Sequence, residues 1–110
     1  MYKRQALNGA DLITVPSVFM HTTGKDHWHS LLKARAIETG CYIVAPAQYG
    51  HYFNKRKSYG HSLIVSPWGK ILKDAKTENN IIIADIKKRQ IEIARSKIPS
   101  LFINKKYKID

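Results

Sequence analysis

A single cysteine, Cys41, is the first residue of this chain that could do chemistry, and a histidine, His51, follows it ten positions later. A cysteine that is activated by a histidine is a common catalytic nucleophile. However, Cys41 begins the apolar run CYIVAPA at 41–47, which is typical of a buried strand. A cysteine in apolar surroundings is usually inert. We therefore interpret Cys41 as a structural residue.

The chain is strongly basic, with a formal net charge of +11 over 110 residues. Residues 51–110 carry fourteen Lys and Arg against five Asp and Glu, whereas residues 1–50 carry five against three. Such an excess makes nucleic acid the first partner to consider. No aromatic-interleaved RNA-binding motif or helix-turn-helix spacing accompanies the charge. The pattern therefore favours a solvated lysine-rich surface over a nucleic-acid interface.

Composition also limits the class of protein. With 44% apolar and 25% charged residues, the sequence is typical of one modest globular domain or of part of a larger one. No apolar run reaches the length of a membrane span, and the N-terminus lacks the apolar region of a signal peptide. One cysteine excludes an internal disulfide and offers no zinc cluster. We expect a cytoplasmic protein that uses no metal, no cofactor and no membrane.

Apolar periodicity predicts an α/β protein. A capping pattern formed by Thr23 and Asp26 precedes the first predicted helix, and Gly40 is placed to end it. The order β-α-β-β-β-β-α indicates one mixed sheet with helices on one face. The strands are predicted at 10–16, 41–47, 61–66, 71–75 and 80–86, and the helices at 27–39 and 88–98.

The predicted strands are apolar at consecutive positions, as in IVA at 43–45 and III at 81–83. Such strands are expected to be buried on both faces of their sheet. Two helices can cover only one of these faces. The sequence therefore predicts a sheet whose second face is covered by material from outside these 110 residues.

Five sequence blocks resemble the nitrilase superfamily of carbon–nitrogen hydrolases, in the branch that includes deaminated-glutathione amidase and ω-amidase. The resemblance implies a four-layer α-β-β-α sandwich, of which residues 1–110 would form the C-terminal half, with MYKRQALNGAD at 1–11 as the end of a helix. The blocks are GADLITVPSVF at 9–19, TTGKDHW at 22–28, LLKARAIETGCYIVAPAQ at 31–48, KRKSYGHSLIVSPWG at 55–69 and IP at 98–99.

The same resemblance implies hydrolysis of small carboxamides through a Glu-Lys-Cys triad, without metal or cofactor. The family's nucleophile lies in a Cys-Tyr-Asp-x-Arg-Phe-Pro-Glu-like motif, just before the helix that leads to the Gly-Ala-Asp strand. The resemblance therefore implies that all three triad positions precede Met1 and that this chain contains no catalytic residue. Cys41-Tyr42 continues instead with Ile43 and Val44, like the family's later, structural Cys-Tyr strand. We expect a chain that is inactive alone, or one chain of a split enzyme whose N-terminal half comes from a second polypeptide. A small amide would then bind only to the completed enzyme.

Two alternatives stay open at this point. One is a homo-oligomer, and the other is a non-catalytic basic module that binds nucleic acid or an acidic partner.

Spacing and the resemblance together give expected roles to particular residues. Arg35 and Glu38 are three positions apart, so they are expected to pair along the helix and to orient it. Trp28 is expected in the core first, although it belongs to a His-Trp pair that lies near the active site in the family. The candidates for the substrate pocket are Ser17, Phe19, His27, Trp28 and His61.

Overall fold

The computed structural model describes residues 2–18, 20–48, 58–77 and 81–99. These residues form three helices and four strands, and within the described ranges the last three strands follow one another without a helix between them. The elements are α1 (Tyr2–Leu7), β1 (Leu12–Thr14), α2 (His21–Thr39), β2 (Tyr42–Ala45), β3 (Leu63–Val65), β4 (Ile71–Asp74) and α3 (Lys88–Lys97).

The four strands form one mixed sheet in the order β1-β2-β3-β4. Strands β1 and β2 are parallel, with Ile13 opposite Ile43, because α2 crosses over between them. Strands β2, β3 and β4 continue antiparallel, and the register shifts between Ile64 and Val65. The predicted mixed sheet and the α/β class are therefore confirmed.

The core lies between α2 and one face of the sheet. Trp28, Leu32 and Ala36 are spaced four residues apart, so they share one face of the helix, and each is at most 1% exposed. This face packs in one cluster with the buried strand residues. The strand residues of the cluster are Ile13, Ile43, Ala45, Leu63 and Val65.

The second face of the sheet is also apolar. Successive strand residues point to opposite faces, so the neighbours of the core residues point away from α2. On the two parallel strands Leu12 is 36% exposed, whereas Tyr42 is buried beside Lys87, whose backbone N–H donates to the Tyr42 hydroxyl at 3.1 Å. On the antiparallel strand Ile64 is 8% exposed. The prediction that both faces carry apolar side chains therefore agrees with the arrangement of these strands.

Two sequence-based predictions of secondary structure were wrong. The helix predicted at 27–39 begins at His21, so Thr23 and Asp26 lie inside its first turns. The Thr23 hydroxyl donates to the Met20 carbonyl at 3.3 Å and does not cap the helix. The earlier start brings Gly24 against the side chain of Tyr59: a Cβ at Gly24 would lie 2.6 Å from Tyr59 Cβ. The first turn of α2, which the capping pattern did not predict, therefore packs against Tyr59.

The strand predicted at 80–86 is the second correction. Residues 81–87 lie in neither a strand nor a helix, and Ile81 and Ile83 are 86% and 75% exposed. An apolar run indicates a preference for burial, but a strand also requires hydrogen bonds to a neighbouring edge. Sequence periodicity cannot supply that edge.

Candidate functional site

A shallow depression lies where the parallel strands end. Ser17 follows β1 and Ala47 follows β2, and these two residues form a parallel bridge beyond the strands. Ser62, just before β3, accepts a hydrogen bond from the Ala47 backbone N–H at 2.9 Å. Ligands of open α/β sheets bind at the carboxyl ends of the strands. The depression has a volume of about 450 Å³ and is lined by Pro16, Ser17, Val18, Pro46, Ala47, Gln48 and Ser62.

His61 lies beside this depression, in a cluster that joins α2 to the β3–β4 hairpin. Its Nδ1 lies 3.0 Å from Oδ1 and 3.2 Å from Oδ2 of Asp74, at the end of β4. His29 Nε2, from α2, lies 2.9 Å from the Oδ2 atom of the same carboxylate. The ring of Tyr59 stacks on His61 with centroids 4.2 Å apart. Two imidazoles and a phenol thus surround one carboxylate.

The neighbours of the Asp74 carboxylate stabilise its ionised form. Burial alone would raise the pKa of Asp74, but the hydrogen bond with His29, the Lys76 backbone N–H at 2.8 Å and the proximity of His61 outweigh it. The net result is a lowered pKa. Burial raises the pKa of Tyr59, and the negative charges of Asp74 and Asp26 raise it further. At neutral pH the cluster therefore contains an ionised carboxylate and a neutral phenol.

The remaining pocket candidates are placed differently. Trp28 is 1% exposed in the core, and its indole N–H donates to the His61 carbonyl at 2.8 Å. This bond holds the backbone of His61, whose φ of +56° is unusual for a residue with a side chain. His27 is exposed on α2. The structure therefore brings Ser17 near the depression and Trp28 and His61 together, and leaves His27 apart. Phe19 and His51 lie outside the described residues.

Cys41 is fully buried between α2 and β2. Its Sγ lies 3.2 Å from the Ala10 carbonyl oxygen. Arg95 of α3 donates from Nη2 to Cys41 Sγ at 3.3 Å and to the Ala10 carbonyl at 2.9 Å. Its Nη1 lies 3.6 Å from a carboxylate oxygen of Asp11. The thiol is thus part of a contact that ties α3 to the beginning of the sheet, with no solvent access for a substrate.

Arg35 and Glu38 lie on the outer side of α2. Arg35 Nη1 donates to Glu38 Oε1 at 2.9 Å, and the guanidinium lies 5.3 Å from the ring centroid of Tyr2 in α1. Both side chains are more than a third exposed, at 34% and 46%, so solvent screens the pair. The arrangement connects the first two helices and involves no group of the histidine cluster.

Sequence reasoning missed His29, Tyr59, Asp74 and Arg95. His29 directly follows the buried Trp28 in α2, so it lies at the edge of the packed face of the helix. A histidine at such an edge was the signal by which the sequence could have indicated this residue. Tyr59 lies two positions before His61, but its contact with His29 joins distant segments. Asp74 and Arg95 are also distant along the chain from their partners, and only the sheet and the packing of α3 bring them together.

Among the residues described, no helix combines the length and the apolar character needed to cross a membrane. The cytoplasmic location stays a prediction.

Comparison with known proteins assigns the chain to a family. The model of the carbon–nitrogen hydrolase family matches residues 2–96. The deaminated glutathione amidase of Synechocystis is 45% identical over 101 residues, which are 92% of this chain and 37% of the relative. The corresponding amidase of Dictyostelium discoideum is 48% identical over 104 residues, covering 91% of this chain and 35% of the relative. The chain thus spans little more than a third of these relatives.

Solved structures agree with this assignment. The crystal structure of the Caenorhabditis elegans NitFhit protein aligns with a TM-score of 0.87 at 38% identity, over 94% of this chain and 25% of that one. A nitrilase-superfamily protein of Saccharomyces cerevisiae aligns with a TM-score of 0.83 at 33% identity, over 89% of this chain and 36% of that one. These matches do not support the alternative of a basic nucleic-acid-binding module. The chain belongs to the carbon–nitrogen hydrolase family.

Proposed function

We propose that this chain is the C-terminal half of a nitrilase-type amidase domain, and that a complementary N-terminal half completes it. The observation that carries the proposal is the apolar surface that remains on the sheet side opposite α2 and in the neighbouring segment 81–87. Leu12 is 36% exposed there, and Ile81, Ile83 and Ile86 are 86%, 75% and 47% exposed. Large exposed apolar surfaces mark interaction sites.

The occupant of this surface is a second sheet layer. A sheet with apolar side chains on both faces is stable when both faces are covered. In this chain α2 covers one face, and residues 81–87 reach the other only in part, through Lys87 and Tyr42. The unmatched part of the relatives is long enough to form this second layer, because this chain matches only 37% and 35% of the two amidases.

In the completed enzyme the reaction is hydrolysis of a small carboxamide. The N-terminal half supplies the glutamate, lysine and cysteine that the family resemblance implies. The cysteine attacks the amide carbon and the amine of the amide leaves, as ammonia from a primary carboxamide or as cysteinylglycine from deaminated glutathione. Water then hydrolyses the resulting thioester to the carboxylate. By similarity to the named amidases, deaminated glutathione is the first substrate to test.

This chain contributes one wall of the pocket. The depression that Ser17, Ala47 and Ser62 line faces the carboxyl ends of the parallel strands, where such folds bind ligands. Arg95 and Trp28 act at a distance from it: Arg95 fixes α3 against Cys41, and Trp28 fixes the backbone of His61. Arg95 thus acts at the amino ends of β1 and β2, and Trp28 acts on the segment that leads into β3.

Co-expression tests this proposal. The chain is produced with the part of the Synechocystis amidase that precedes the matched region. Hydrolysis of deaminated glutathione is then measured as release of its amine product, cysteinylglycine. We expect co-purification and activity for the pair, and no activity for the chain alone. Cys41→Ala in this chain should leave the activity of the pair within about twofold, because Cys41 is structural.

Two results would contradict the proposal. The first is failure of the two segments to associate. The second is turnover by the chain alone that Cys41→Ala abolishes, since the nucleophile would then lie in this half. A Leu12→Lys variant serves as the interface control: a charge on the second sheet face should prevent co-purification.

A further inference from the structure

His29, His61 and Asp74 converge from three separate parts of the chain. His29 lies on α2, His61 precedes β3, and Asp74 ends β4. His29 Nε2, His61 Nδ1 and an oxygen of Asp74 all lie within 4.8 Å of one another. The carboxylate is 2.9 Å from the first nitrogen and 3.0 Å from the second. Three donor atoms from separate segments therefore lie next to one another.

We propose that these three side chains form a binding site for a divalent transition-metal ion, with Zn²⁺ as the ligand. Two imidazole nitrogens and one carboxylate oxygen are a donor set that zinc uses in proteins, with a fourth position left for water. The proposal rests on this geometry and does not depend on amidase activity.

The distances fit with small side-chain movements. Zinc lies about 2.0–2.2 Å from nitrogen and oxygen ligands, so two tetrahedral ligands are about 3.3 Å apart. From the single oxygen Oδ2, the two imidazole nitrogens lie at 2.9 and 3.2 Å, close to this value. The remaining pair, the two imidazole nitrogens, is separated by no more than 4.8 Å. Binding therefore requires these two nitrogens to approach each other by at most about 1.5 Å.

The proton balance is simple. In the metal-free protein each neutral imidazole can donate to Asp74 from the nitrogen that faces it. When the metal binds, that nitrogen must be deprotonated, and the proton moves to the other nitrogen of the same ring or to solvent. The metal thus takes the place of hydrogen-bonded protons, and no oxidant or reductant is needed.

The surroundings hold the donors in place. The Lys76 backbone N–H donates to Asp74 Oδ1 at 2.8 Å, which fixes the carboxylate between the two histidines. Tyr59 stacks on the ring of His61 and meets the ring of His29 edge-on, with centroids 5.9 Å apart. Such contacts orient metal ligands in known sites, where their removal lowers metal affinity about 10–100-fold.

The cluster is also accessible. The side chains of His29, His61 and Asp74 are 27%, 18% and 23% exposed, so an ion can enter from solvent. Asp26 contributes a second negative charge close enough to affect Tyr59. A bound ion would link α2 to the β3–β4 hairpin and stabilise the folded state in proportion to its occupancy.

Calorimetric titration of the full chain with Zn²⁺ tests the site. We expect binding of one ion per chain, and His29→Gln should lower the affinity by more than tenfold. His27→Gln is the matched control, because His27 lies on the same helix two positions earlier and is exposed. It should leave the affinity unchanged. Equal losses for the two variants would overturn the site in favour of scattered surface histidines.

A second measurement covers the case in which the His29 variant does not fold. Imidazole nitrogen NMR signals of the unsubstituted chain are recorded with and without Zn²⁺. The ring signals of His29 and His61 should shift, and those of His27 should not. Zn²⁺ that shifts neither His29 nor His61, or no binding at all, would refute the proposal.

Discussion

Replacement of Gly40 by alanine should destabilise the chain through two effects that can be separated. Gly40 ends α2 in the left-handed conformation, with φ of +61° and ψ of +29°. A residue with a Cβ loses roughly 1–2 kcal/mol in that conformation. The Cβ would also lie 2.6 Å from Cγ of Arg95, in the middle of a side chain whose guanidinium is bonded to Ala10 and Cys41.

The second effect adds to the first. To make room, Arg95 must move, and its hydrogen bond to the Ala10 carbonyl is lost. A hydrogen bond to a charged group contributes about 1.5–3 kcal/mol. We therefore expect Gly40→Ala to lower the free energy of unfolding by about 2.5–5 kcal/mol. Pulse proteolysis in urea measures this change at low protein concentration, where the exposed apolar surface causes least association.

A double-mutant cycle with Arg95→Ala identifies the contact. In the Arg95→Ala background the steric effect is absent, so Gly40→Ala should cost only the roughly 1–2 kcal/mol of the left-handed conformation. If Gly40→Ala has the same effect in both backgrounds, the close approach of Arg95 is not the cause. A loss below about 1 kcal/mol in the unsubstituted chain would refute the conformational argument as well.

Two other perturbations follow from the histidine cluster, both measured with a chelator present so that no metal contributes. The pKa of Asp74 is lowered in the folded chain from its ordinary 3.8. Its contribution to stability is therefore complete above about pH 4–5 and is lost as the pH falls through the lowered value. Urea midpoints between pH 5 and pH 3 should fall more steeply for the unsubstituted chain than for Asp74→Asn, and parallel curves would contradict this. Trp28→Phe removes the donor to the His61 carbonyl, and the loss of that bond should cost about 1–3 kcal/mol by urea unfolding. A loss no larger than about 0.5 kcal/mol would show that this bond does not hold the backbone of His61.

The local sequence was enough to predict the class of fold. The apolar runs around Ile13, Ile43 and Ile64 are short and rich in β-branched residues, which is typical of buried strands. The helix between the first two runs allows β1 and β2 to be parallel. Gly40 predicted the end of α2, because few other residues adopt a left-handed conformation there without strain. The blocks that contain these residues also predicted the family, which the comparisons confirm.

Predictions from the sequence failed where an element depends on a distant partner. The start of α2 is accompanied by packing of Gly24 on Tyr59, thirty-five positions away, and the capping pattern at Thr23 gave the wrong boundary. Residues 81–87 had the apolar character of a strand, but strand formation requires an edge with free backbone groups. Neither partner can be read from local periodicity.

The site shows the same division. The sequence alone determined which residues carry reactive groups, and it placed Cys41 at the start of an apolar strand, which begins one residue later, at Tyr42. Only the tertiary structure decided that Arg95, fifty-four positions away, contacts the thiol, and that Asp74 lies between His29 and His61. The physical reason is that side-chain chemistry and local conformational preference are properties of short segments. The contacts of a carboxylate or a thiol depend on how the sheet brings separate segments together.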